Sequence, residues 1–274
     1  MKKVISASRR VDMLCFYPTE MVCRIRRIGK DRIHTLVIWT KNPEPIFTND
    51  ELRRLAEDLD QIMILVTITG LGGTYLEPAV PSQEKVLDML PGVVQWVGKP
   101  ERVSIRYDPL LDADSPCGRL TNMDAEHFSI VAKASGSLGI PIIRTSYVTA
   151  YPKVIRRFAK FGIHLREHPV DEVIALIQDK FIPIASHYGT EIRTCTFPSL
   201  TRGGCIDGAE LSRLHPRNEP CSLSKDPTQR PACQCTRSLD IGQWYQCGHG
   251  CRYCYGNPVE EEQSHHASGS EKPQ

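Results

Sequence analysis

Ile62-Met63-Ile64-Leu65-Val66-Thr67-Ile68-Thr69 carries the first decision about the fold. Its first five residues are apolar without alternation. A strand with one wet face would alternate apolar and polar residues, so an unbroken run of this length suits a strand buried on both faces, as in a parallel sheet covered by helices. Outward in both directions the same kind of unit recurs. Candidate strands run Val4 to Ser8, Thr35 to Thr40, Ile62 to Thr69, Arg102 to Tyr107, Ile140 to Ser146 and Glu191 to Thr196, each followed by polar, Gly or Pro residues. Between them, helical spacing of apolar positions marks Thr19 to Ile28, Asp50 to Leu59, Ser82 to Val97, Asp124 to Leu138, Lys153 to Lys160 and Val170 to Ala185. Thr48-Asn49-Asp50-Glu51 is a good helix start, and Ser82 with Lys85 a weaker one. Strand–helix alternation repeated six times predicts an α/β fold: a parallel (β/α) barrel or partial barrel of about six strands, TIM-barrel-like, with an open sheet as the alternative. In each case the functional loops follow the C-terminal ends of the strands.

The texture changes after Thr196. Residues 198–258 are rich in Pro, Gly, Cys and charge, with one short helix expected at Asp207 to Leu214. The predicted organisation is a repeat domain over 1–197, a Cys-rich region over 198–258 held by metal and packed on the barrel, and a disordered tail over 259–274. The 274 residues are 41% hydrophobic, enough for a sizeable core, and the net charge of +2 gives no argument for nucleic acid or an acidic partner. No apolar stretch is long enough to span a bilayer. Arg9 and Arg10 interrupt the start before a signal segment could form, so a cytoplasmic protein is expected. Eleven cysteines are many for such a chain. Seven fall between Cys205 and Cys254, and Cys233 and Cys235 are too close to pair easily with each other, as are Cys251 and Cys254. Clustered cysteines in a reducing compartment are more often metal ligands than bridges.

The strand ends carry Arg9, Arg10 and Asp12; Thr40, Lys41 and Asn42; Gly70, Gly72 and Gly73; Arg106, Tyr107 and Asp108; Arg144, Thr145 and Tyr147; and Cys195. In a parallel sheet these converge on one polar face suited to an anionic or zwitterionic ligand. Arg9–Asp12 and Arg106–Asp108 also read as structural ion pairs. The glycine loop lacks the full dinucleotide fingerprint, and phosphate binding is not expected of it.

Near the C-terminus stands Cys247-Gly248-His249-Gly250-Cys251-Arg252-Tyr253-Cys254-Tyr255, a C-x3-C-x2-C run. Three thiolates at this spacing can bind three irons of a cubane and leave the fourth open, and thiolates are soft ligands suited to iron–sulfur clusters and zinc. A closed zinc site would have to recruit His249 or a distant cysteine. Cys195, Cys205, Cys233 and Cys235 form a second candidate set, for an auxiliary cluster or a structural zinc. Cys15, Cys23 and Cys117 read as core or incidental thiols.

The run resembles the cluster-binding loop of the radical S-adenosylmethionine enzymes, including the aromatic before the third cysteine. That resemblance implies a [4Fe-4S] cluster on Cys247, Cys251 and Cys254, with the open iron chelating S-adenosylmethionine and one electron cleaving it to a 5′-deoxyadenosyl radical. It also implies a small flavodoxin- or ferredoxin-type electron donor. Lys41, Asn42, Arg106, Asp108 and Tyr253 are the positions to expect in cofactor binding, and Tyr253 and Tyr255 would shield the cluster. The whole chain, from about Val4 to Pro258, is also similar to the bacterial family called domain of unknown function 1848, through Ile5 to Asp12, Val37 to Pro43, Thr67 to Gly70, Arg106 to Pro109 and Ser238 to Gly242. This resemblance implies an iron–sulfur protein with a barrel-like α/β fold and supplies no reaction or substrate. In radical enzymes the cysteine loop ordinarily follows the first strand. Here it follows the last, within Ser238 to Tyr245, as though that segment filled the first strand's place in a permuted order. The competing expectations are a non-catalytic or electron-transfer iron–sulfur protein and a zinc-stabilised binding module.

Overall fold

The structure, a computed structural model, describes residues 2–197 and 199–260; the tail expected over 259–274 lies outside them from residue 261 onward. The strands are β1 (Lys3–Ser6), β2 (Ile33–Thr40), β3 (Ile62–Thr67), β4 (Val103–Arg106), β5 (Asp112–Ser115), β6 (Gly118–Thr121), β7 (Ile142–Thr145), β8 (His164–Leu165), β9 (Glu191–Thr194), β10 (Leu239–Asp240), β11 (Gln246–Cys247) and β12 (Asn257–Pro258). The helices are α1 (Met13–Phe16), α2 (Pro18–Ile28), α3 (Pro45–Thr48), α4 (Asp50–Asp58), α5 (Gln83–Val97), α6 (Ala125–Ser137), α7 (Pro152–Lys160), α8 (Val170–Leu176), α9 (Ile182–His187) and α10 (Gly208–Leu214). Asn49, Asp124 and Asp207 each accept two backbone N–H bonds at the starts of α4, α6 and α10, and Ser82 accepts one at α5.

Seven strands form the main sheet in the order β10-β1-β2-β3-β4-β7-β9, and every neighbouring pair is parallel. All six expected strands are in it. The seventh, β10, comes from the segment before the cysteine loop and lies beside β1, with Ile5 opposite Leu239 and Ser6 opposite Asp240. β2 and β3 are buried along their whole length, β3 on its apolar run Ile62 to Val66 and β2 on Leu36 to Trp39 with His34, Thr35 and Thr40 buried beside it.

The sheet is not a closed barrel: among the described strands β10 pairs with β1 and no other, and β9 with β7 and no other. The two faces of the strands explain why. One face, with Ile5, Leu36, Ile38, Ile62, Ile64 and Val66, packs against α2, α4, α5 and α6 in the main core. The other, with Val4, Val37, Trp39, Met63 and Leu65, packs against Ile206, Leu211, Cys221, Cys233 and Cys235. In a closed barrel the strands' own side chains would fill that inner space. Here a layer of Cys-rich chain occupies it. Polar ties hold the layer down: Gln61 Nε2 donates to the Leu211 carbonyl at 2.9 Å, and buried Arg144 reaches Glu210 Oε2 at 2.8 Å and the Gly204 carbonyl at 3.1 Å.

A small antiparallel sheet, β6-β5-β8, was not expected from the sequence. No helix among the described residues is long and apolar enough to cross a membrane.

Candidate metal centre

The C-terminal ends of the main strands meet at one cavity of about 400 Å³, within the range of small-molecule sites, roughly 300–1,000 Å³. β1 delivers Arg9, Arg10 and Asp12; β2 delivers Thr40 and Lys41; β4 delivers Arg106 and Asp108; β7 delivers Thr145 and Tyr147; β9 delivers Cys195. Gly70, Gly72, Gly73 and Asn42 do not line it. Asn42 instead orders its own turn, its Oδ1 accepting the Glu44 N–H at 3.1 Å.

Cys247, Cys251 and Cys254 line this cavity, and so do Cys195, Cys205, Cys233 and Cys235. All seven are free thiols. The three-cysteine loop is closed at its base by the parallel pair β11–β12. Along its length the Arg252 N–H donates to the Leu76 carbonyl at 2.9 Å, and the Cys254 N–H to the Cys251 carbonyl at 3.1 Å. Arg157 Nη1 donates to the Cys254 carbonyl at 2.6 Å, and the Arg252 guanidinium stacks 3.4 Å from the Tyr75 ring centre. Gly248 allows the loop to pass the Phe16 ring, because a Cβ there would lie 2.4 Å from a ring carbon.

Two buried carboxylates fix the loop from below. Asp12 Oδ1 accepts the Cys15 N–H at 3.0 Å, and its Oδ2 accepts from Thr40 Oγ1 at 2.8 Å, the Lys41 N–H at 2.9 Å and His249 Nε2 at 2.8 Å. Glu77 accepts from Lys41 Nζ at 2.7 Å, from Thr69 Oγ1 at 2.8 Å and from the Tyr253 hydroxyl. Burial by itself would lower the Lys41 ammonium, but the Glu77 carboxylate and Cys251 hold it above its ordinary value. Lys41 and Tyr253 therefore face the cavity while already committed to positioning the loop. Glu77 was not singled out in the sequence; the available signal was a lone acid within the otherwise uncharged stretch Leu71 to Val80.

Of the two expected ion pairs, Arg106–Asp108 forms. Arg9 does not pair with Asp12. It stacks 5.0 Å from the Trp39 ring centre, with its carbonyl accepting the Tyr255 hydroxyl at 2.6 Å. Arg9 Nη2 and Arg106 Nε are buried without a nitrogen or oxygen partner among the described residues, with Cys235 beside Arg9 and Asp108 paired to Arg106.

The donor set fits an iron–sulfur cluster better than zinc. Both nitrogens of His249 are engaged, Nε2 by Asp12 and Nδ1 at 3.5 Å from the Ala79 carbonyl, so the ring is not available as a fourth zinc ligand. Among the described residues, the group of His, Cys, Asp or Glu ligand atoms that lie within 4.8 Å of one another contains no cysteine. The sulfurs also face N–H donors of the kind that tune iron–sulfur clusters: Gly256 N–H to Cys254 Sγ at 3.2 Å, and the backbone of Asp12 and His249 at Cys247. Burial pushes the Cys247 thiol up to about 11 and the Cys251 thiol well above its usual range, so binding a metal there displaces protons. The group that does come within 4.8 Å, Asp60, His215 and Glu219, is already neutralised by Lys2 at 3.0 and 3.2 Å and by Arg217.

A family model matches residues 17–256, nearly the full length of this arrangement. The chain belongs to the DUF1848 family, a domain of unknown function. No curated relative matches it. Membership in DUF1848 agrees with the end-to-end resemblance of the sequence and assigns neither reaction nor cofactor.

Proposed function

We propose that this DUF1848 chain is a cytoplasmic radical S-adenosylmethionine-type enzyme, with a [4Fe-4S] cluster on Cys247, Cys251 and Cys254 and a small substrate in the adjoining cavity. The observation that carries the reading is the three free thiols of one short loop, two of them buried, opening onto a cavity lined by strand-end cations and carboxylates. When bound, the open iron of such a cluster supplies a chelation point for S-adenosylmethionine and an electron for its cleavage. The chain's own residues hold and orient. Asp12 and Glu77 lock the loop through His249, Lys41 and Tyr253, so the thiols present a fixed triangle. Arg9 and Arg106 offer unpaired guanidinium nitrogens to a carboxylate or other anion, and Asp108, bonded to Ser146 and Arg106, offers an acceptor for an ammonium. Tyr253, buried, keeps water from the thiols, and the partly exposed Tyr255 lies beside Cys254. The seven-stranded sheet serves as a partial barrel for this purpose, with β10 in the position that would precede β1. A flavodoxin- or ferredoxin-type protein is the expected electron donor.

The test is anaerobic reconstitution followed by incubation with S-adenosylmethionine and a strong reductant. The proposal expects 5′-deoxyadenosine and methionine from the full chain and neither from Cys251→Ala. A reconstituted cluster whose spectrum ignores the added cofactor would instead assign an electron-transfer role and overturn the enzymatic reading.

A further inference from the structure

We propose that Cys195, Cys205, Cys233 and Cys235 hold a second iron–sulfur centre that opens onto the same cavity as the three-cysteine loop. The four residues are brought together from distant positions. Cys195 follows β9 at the end of the sheet, Cys205 leads into α10, and Cys233 and Cys235 lie in the layer on the sheet's second face. Cys195 sits beside Cys233, and Cys205 beside Cys235. The Cys235 N–H points at Cys233 Sγ at 3.5 Å, and Arg230 Nη2 lies 3.8 Å from Cys195 Sγ. All four line the cavity. Four convergent thiols with cations and an N–H directed at their sulfurs make a poor packing motif and a good thiolate cage for a soft metal.

The shared cavity selects the kind of metal. Zinc has no redox chemistry and would serve there only as a clamp, whereas an iron–sulfur centre beside the three-thiol loop can pass charge across the cavity. With four thiolates for four irons, such a centre has no open position. It can carry charge but cannot chelate a substrate, which sets it apart from the three-thiol site. Two residues join the walls: Arg9 lies beside Cys205 and Cys235, and Tyr255, which donates to the Arg9 carbonyl, lies near both Cys254 and Cys205.

This inference rests on the four thiols alone and stands even if the three-cysteine loop fails to bind S-adenosylmethionine. The full chain is reconstituted anaerobically with ferrous iron and sulfide, beside Cys233→Ser/Cys235→Ser, the single variant Cys195→Ala, and a triple variant with alanine at 247, 251 and 254. About eight irons per full chain are expected, and about four in the triple variant, with a like loss in the double and single variants. Retention of four irons by the triple variant identifies the second centre independently of the first. In the reduced full chain, the electron paramagnetic resonance signal is expected to show magnetic interaction between two clusters, absent from each variant. Four irons in the full chain with no loss in Cys195→Ala overturns the proposal. One zinc per chain that iron does not displace, lost from the same variant, overturns the iron assignment. Two clusters without magnetic interaction overturn the shared cavity.

Discussion

Glu77 shows how much of the site depends on single carboxylates. It has no exposed surface, and its three donors come from the residue after β2, from the loop after β3 and from the cysteine loop, so one side chain registers three segments against one another. Asp112 does the same for the small sheet. It accepts from Arg119 at 2.9 and 2.7 Å and lies 2.9 Å from His168 Nε2. Burial would raise the Asp112 carboxyl, but the bonds to Arg119 and His168 prevail and hold it below the ordinary carboxylate value. The sign follows from linkage: a depressed carboxyl contributes stability above the unfolded-state pKa, near 3.9, and loses it as pH falls through the lower folded value. Asp112→Asn is therefore expected to unfold more easily at pH 7 by about 1–2 kcal/mol. The gap should close as pH drops below about 4, followed by chemical denaturation across pH 3–7. A gap that stays constant over that range would show that the charge of Asp112 is not what stabilises the fold.

At the scale of elements, the main strands and helices were legible and the hairpin was not. β2 and β3 announce themselves by buried β-branched runs, and α4, α6 and α10 by an Asx cap ahead of an apolar stripe. Asp112-Ala113-Asp114-Ser115 and Gly118-Arg119-Leu120-Thr121 carry no such pattern. Their pairing is held by Asp112 bonds to Arg119 and by packing of Ala113 under Phe158 and Phe161, which only the tertiary fold supplies. The three cysteines of the loop could be named from spacing. The carboxylates that orient them could not, because Asp12 and Glu77 come from 235 and 170 residues before Cys247 in the chain. α10 offers a sharper test of how the Cys-rich layer is attached. Arg144 is 3% exposed and Glu210 8% exposed, and Glu210 is the acid paired with it. Glu210→Ala strands a buried guanidinium and is expected to cost about 3–5 kcal/mol, measured by denaturant unfolding. Arg144→Met with Glu210→Leu should recover most of that loss.

For the molecule as a whole, sequence periodicity left open whether the sheet closes, because a strand buried on both faces reads the same whatever covers it. The answer lay in the segment without periodicity, residues 203–236, which covers Val37, Trp39, Met63 and Leu65. That layer has one short helix, and the proposed metal centres sit at its margin. Metal binding to the folded state alone adds to folding stability. Stripping metal with a chelator under reducing conditions is thus expected to lower the melting temperature and to expose 203–236 to protease before the main sheet. Equal melting temperatures for stripped and loaded protein would place the metals outside the folding equilibrium.

The pairing of β10 with β1 has a consequence in time. Ser6 meets Asp240 across 234 residues of chain. At about 5–20 residues per second of synthesis, β1 waits roughly ten to fifty seconds for that neighbour. The strand that delivers Arg9 and Asp12 is made well before the thiols it serves. The cavity wall is complete only after β10 and the cysteine loop have emerged, and until then the nascent edge of β1 stands open to any other strand that reaches it.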